Sequence, residues 1–131
     1  MNRLITAAGA LLAVTTLIHL FAGERDVHAP LRALTGDGEM GLYASVLWHA
    51  VSVVLAVMAA ALLWAARAPD ARQGVIWLVC AQSLGFAALF IFYGLLLTES
   101  LWRAPQWTLF VAAAGLAGAG LWQSVRRPAH P

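Results

Sequence analysis

LYASVLWHAVSVVLAVMAAALLWAA, Leu42 to Ala66, runs for twenty-five residues without an Asp, Glu, Lys or Arg. A helix needs about 20 mostly apolar residues to cross a hydrocarbon layer. The stretch therefore predicts a membrane span. Tyr43 and Trp48 near its start, and Trp64 near its end, fit the aromatic belts of the two membrane interfaces. Three more apolar runs repeat the pattern, over about 4–22, 75–97 and 107–122.

Composition agrees. Of 131 residues, 62% are hydrophobic and 11% charged. An ordinary soluble domain carries about 25% charged residues, so too little polar surface exists to cover a water-soluble globule. All eight basic residues are Arg. They stand singly or in pairs beside apolar runs, which suits anchoring at membrane ends and not a nucleic-acid stripe. The lone cysteine, Cys80, excludes an intrachain disulfide and a CxxC redox pair. A quinone-linked thiol oxidoreductase is thereby disfavoured.

The first run follows Arg3 and has the outline of a secretory signal peptide. Its length, its Thr15, Thr16 and His19, and the three runs after it favour a retained helix. Gly23 to Gly41 reads as the longest connection. Within it Pro30, followed by LRAL, predicts a short interfacial helix, because proline suits a first helical position. TGDGE, Thr35 to Glu39, signals a turn. RAPDARQG, 67–74, and TESLWRAPQ, 98–106, break the later runs, each with a proline. The tail QSVRRPAHP reads as disordered and His130 as inert.

The expected fold is an all-α membrane protein, a four-transmembrane-helix antiparallel bundle forming one domain over residues 1–131. Short links make successive helices neighbours, and every backbone polar group must be satisfied within lipid. With the N-terminus cytoplasmic, Arg3, Arg67, Arg72, Arg126 and Arg127 fall inside and Arg25, Arg32 and Arg103 outside. The positive-inside rule then puts both termini in the cytoplasm. Glu24, Asp26, Asp37, Glu39 and Glu99 fall outside, and Asp70 inside.

In this orientation the chemistry gathers near the outer end of the bundle. His19 and His49 stand in apolar surroundings on the first two spans. An imidazole in hydrocarbon is costly unless paired or bound, which makes it a functional candidate. Thr15, Thr16 and His19 form one polar stripe, and Ser45, His49 and Ser52 another. The two are expected to face each other. Such a pair can ligate a transition metal, with Glu24, Asp26, His28 or Glu39 completing the shell. It can also hold a haem b iron from both sides. The plain structural alternative is a histidine-to-hydroxyl hydrogen bond that sets helix register. Tyr93 and Gln106 are expected near the same layer. No HxxxH, HExxH or CxxC motif adds weight.

On the fourth run, Ala114, Gly115 and Gly118 make a smooth patch suited to close helix packing, within the bundle or against a second copy. Cys80, Gln82 and Ser83 on the third read as interhelical contacts. No Asp or Glu lies deep in an apolar run, which disfavours a proton-coupled exporter. No Ser-His-Asp or paired-carboxylate set suggests a hydrolase.

The pattern IHLFAG…APL…WHAVS, Ile18 through Ser52, resembles the small uncharacterised four-helix inner-membrane proteins of Gram-negative bacteria. The resemblance covers the first half of the chain. It implies a bacterial inner-membrane location and a helix count, with no activity or site residue to carry over. The leading functional expectation is a non-enzymatic accessory or oligomeric membrane subunit with a histidine centre near the periplasmic face. Its partners would be the bilayer and either further copies or a larger membrane complex, with no nucleic acid. The alternative is a metal- or haem-binding protein, and the third a small-solute transporter or channel with a polar path past Gln82 and Ser83.

Overall fold

The computed structural model describes residues 1–69 and 72–126. Asp70, Arg127 and His130 of the sequence reading lie outside the described residues. The elements, all helical, are α1 (Arg3–Ile18), a π-helical segment (His19–His28), α2 (Ala29–Thr35), α3 (Glu39–Ala65), α4 (Arg72–Thr98) and α5 (Trp107–Arg126). Four helices are long and apolar enough to cross a membrane, because α1, the π segment and α2 form one continuous rod from Arg3 to Thr35.

The helix that begins at Arg3 therefore runs on past Ala22, where the first apolar run ends. Gly23 to Gly41 is not a long connection, since only Gly36–Gly38 separate α2 from α3. Glu and Arg in GERD are good helix formers, and their polarity alone does not end a helix. Pro30 does open α2, in its first turn, but α2 continues the helix before it. A proline has no N–H, and its ring collides with the carbonyl four residues back. Here the turn ahead of it is widened, and the Ala29 N–H donates to the Glu24 carbonyl, five residues back. Gly36 then ends the rod with a φ of +69°, a conformation glycine adopts without steric cost.

The Asn2 side chain caps α1 by accepting from the N–H groups of Leu4 and Ile5 at 3.1 and 3.2 Å. α1 packs along both α3 and α5, and α5 packs along α4. α3 and α4 touch only lightly, although a short link joins them. The expectation that each helix lies against the next in sequence therefore holds unevenly. Lipid is as apolar as leucine, so close backbone approach has to drive such contacts. α1 achieves it twice. A Cβ on Gly9 would stand 2.9 Å from Leu63 Cγ, and one on Gly120 would stand 2.7 Å from Ile5 Cγ1. Ile5, Ala8, Leu12, Leu55, Leu62, Ile76, Phe110 and Ala117 fill the space between the rods.

The smooth patch on α5 divides. Ala114 is buried, but a Cβ on Gly115 or Gly118 would meet nothing within 4 Å. Among the described residues Gly115 is exposed, whereas Gly118 is half-buried, and only the side where its Cβ would stand is open. Gln82 is exposed and Ser83 fully buried, so the two do not share a surface. Large apolar side chains cover the outside of every rod, including Leu17, Val53, Leu78 and Val111. A lipid solvent accounts for that surface, which water does not.

Candidate functional site

The π segment decides what meets at the far end of α3. In an α-helix of about 3.6 residues per turn, nine residues make roughly two and a half turns. His19 and His28 would then point to opposite sides. A π turn is wider, holding about 4.4 residues, so nine residues make roughly two turns. Both rings consequently reach Trp48 of α3. His19 stacks on the indole with ring centroids 4.1 Å apart, and His28 lies parallel to it at 5.5 Å. Gly23, between them in sequence, leaves room for the indole: a Cβ there would stand 2.9 Å from Trp48 Cζ2.

His28 is the centre of the cluster. It is 4% exposed. Its Nδ1 faces both carboxylate oxygens of Glu24, one turn earlier, at 2.7 and 2.9 Å. Its Nε2 lies 3.2 Å from Ser45 Oγ, whose hydroxyl donates to the Gly41 carbonyl at 2.9 Å. With Glu24 ionised, its oxygens only accept and Nδ1 is the donor. His49 approaches His28 edge-on, with ring centroids 5.3 Å apart. One ligand atom each from Glu24, His28 and His49 lie within 4.8 Å of one another.

The other expected residues fall elsewhere. His19 is not part of this group. Its Nε2 lies 3.3 Å from the Trp48 carbonyl oxygen. Asp26 is exposed and paired with Arg25 at 2.7 Å. Glu39 is exposed in the first turn of α3. Thr15 and Thr16 donate to the carbonyls of Leu11 and Leu12, and Ser52 to that of Trp48. Those three hydroxyls are spent within their own helices and do not bond the histidines. Ser45 alone of the supporting residues touches the cluster. Tyr93 is exposed and packs edge-on against Phe92 at 5.1 Å, and Gln106 is exposed.

Glu24, His28 and His49 are all among the expected ligands; what differs is that His49 meets His28 where His19 was expected, and that Trp48 and Gly23 take part. Glu24 and His28 stand four apart, which is one face of a helix. The spacing was available, but it carries meaning only if GERDVH is helical.

Two imidazoles and a carboxylate are a donor set that suits divalent transition metals. Ligands about 2.1 Å from one tetrahedral ion stand roughly 3.4 Å apart, and the ligand atoms here lie within 4.8 Å of one another. No protein-family model matches the chain, and neither the curated proteins nor the solved structures contain a match.

Proposed function

We propose that the chain is a small multi-pass membrane protein that binds a divalent transition-metal ion between Glu24, His28 and His49. It acts as a non-enzymatic accessory or oligomeric subunit and not as a catalyst. One observation carries the reading: a buried histidine, already holding a carboxylate on one nitrogen, has a second histidine from the neighbouring helix at its edge. His49 itself is exposed on an apolar helix. An imidazole so placed is costly in lipid without a partner, and an ion supplies one.

The helices run alternately up and down, with both termini cytoplasmic and the cluster near the outer face. Support comes from contacts at the two ends. The Asn2 N–H donates to the Ala66 carbonyl at 3.1 Å, so the first residues of α1 meet the last of α3. His28 meets Ser45 near the other end. A bacterial inner membrane follows from the resemblance alone. The exposed Gly115 favours a second copy or another chain against α5.

The test is elemental analysis of the mildly solubilised protein before and after incubation with Zn²⁺ and removal of excess. About one retained ion per chain is expected, as for a single closed site. No retained ion would leave Glu24, His28 and Ser45 as a hydrogen-bonded clip between helices. The haem reading draws no support from the geometry, because His19 faces Trp48 and its carbonyl.

A further inference from the structure

At the end of the bundle away from the histidines, Met1, Asn2, Arg3, Arg72, Gln123 and Ser124 line an open cavity of about 560 Å³. The polar groups around it are braced. Arg72 Nε donates to the Ala65 carbonyl at 3.1 Å, and its Nη1 donates to Ser124 Oγ at 3.0 Å. Ser124 Oγ also accepts from Asn2 Nδ2 at 2.9 Å and donates to the Gly120 carbonyl at 2.9 Å. That hydroxyl has one proton and two lone pairs, and all are now used. Among the described residues, Arg72 is therefore held in a fixed direction by two neutral partners, with further guanidinium N–H groups left to donate. Arg3, exposed, adds a second guanidinium to the rim.

The charge and the aromatic residues around the cavity agree. Arg67 and Arg126 lie at the same end, and Arg126 sits 3.7 Å over the Trp122 ring. Among the described residues every acid belongs to the other end of the rods: Glu24, Asp26, Asp37, Glu39 and Glu99. Asp70, outside the described residues, is one acid in the sequence against Arg3, Arg67, Arg72 and Arg126. Trp64, Trp77 and Trp122 are more than half exposed beside this end. Exposed tryptophan in a membrane protein marks the headgroup level. Basic pockets between helices at that level bind anionic lipid headgroups.

We infer that this cavity is a phosphate oxyanion site, filled by the headgroup of an anionic phospholipid, with Arg72 as the fixed donor and Arg3 as the mobile one. Arginine suits the task because its planar fork donates two parallel hydrogen bonds to phosphate. The site is independent of the metal centre at the other end.

The experiment is native mass spectrometry of the full chain in detergent with equimolar phosphatidylglycerol and phosphatidylcholine. The expected result is preferential retention of phosphatidylglycerol. Arg3→Gln should weaken that preference about five-fold, the effect of one arginine near a membrane surface. Arg72→Gln should weaken it at least as much. Arg72 also braces the start of α4, so Arg3→Gln, which disturbs no brace, serves as the variant that must still fold. Arg103→Gln, in the link at the other end, should change nothing. Competition by millimolar inorganic phosphate, with no difference between the two lipids, would keep the oxyanion site but assign it to a soluble phosphate. Equal retention of both lipids without phosphate competition, or an equal loss from Arg103→Gln and Arg3→Gln, would overturn the inference.

Discussion

Glu24 holds His28 with both carboxylate oxygens, at 2.7 and 2.9 Å from Nδ1, while His28 is 4% exposed. His49, its neighbour across the helix interface, is exposed. The two histidines of one cluster therefore stand in different environments, and their removal should have different consequences.

His28→Ala leaves Glu24 and Ser45 without their partner. A loss of about 1–3 kcal/mol is expected, the usual cost of a buried polar group left unmatched. His49→Ala should cost less than about 0.5 kcal/mol, as surface changes do. Unfolding of the solubilised protein, followed by tryptophan fluorescence, separates the two. Equal losses would contradict the assignment of His28 as the structural member.

Gly23→Ala puts a Cβ 2.9 Å from Trp48 Cζ2. The indole has to shift, and overpacking of this kind costs about 1–3 kcal/mol. The near-ultraviolet circular dichroism should change with it, because Trp48 stacks on both His19 and His28. An unchanged spectrum would mean that the glycine does not seat the ring.

Pro30→Ala restores an N–H and removes the ring that excludes an ordinary α turn. The wide turn can then relax, turning His28 away from α3. Helix content should persist while ion affinity falls about tenfold or more, the range seen when support for a ligand is lost. Circular dichroism together with an ion titration checks both halves.

The four long apolar helices were legible because lipid imposes a simple rule, and Leu42 to Ala66 obeys it without exception. The end of the first helix was not. Glu24, Arg25 and Asp26 look like a loop by polarity, yet they continue a helix whose exposed side tolerates charge. The site was half legible for the same reason. His49 stood out as an imidazole in an apolar run, whereas His28 was only one of several polar residues after a supposed helix end. Its partnership with Glu24 depends on a helix there, and its meeting with Trp48 depends on the wide turn before Pro30. A single sequence signals such a turn weakly.

The glycines of α5 make a further comparison. Gly120→Ala drives a Cβ to 2.7 Å from Ile5 Cγ1 and should destabilise the α1–α5 contact by about 1–3 kcal/mol. Gly115→Ala meets open space within the chain and should leave the stability of the isolated subunit within about 0.5 kcal/mol. Thermal unfolding of both variants in dilute detergent tests the difference. Equal destabilisation would place Gly115 in a contact that the single chain lacks.

The most direct test of the metal centre is a Co²⁺ titration of the solubilised full chain, read by its visible spectrum. Bands saturating at about one ion per chain are expected, since Co²⁺ takes sites built for zinc-like ions. Glu24→Gln, His28→Ala and His49→Ala should each abolish them, and His19→Ala should not. A spectrum that never saturates, or one that needs His19 and survives the loss of His49, would contradict the account.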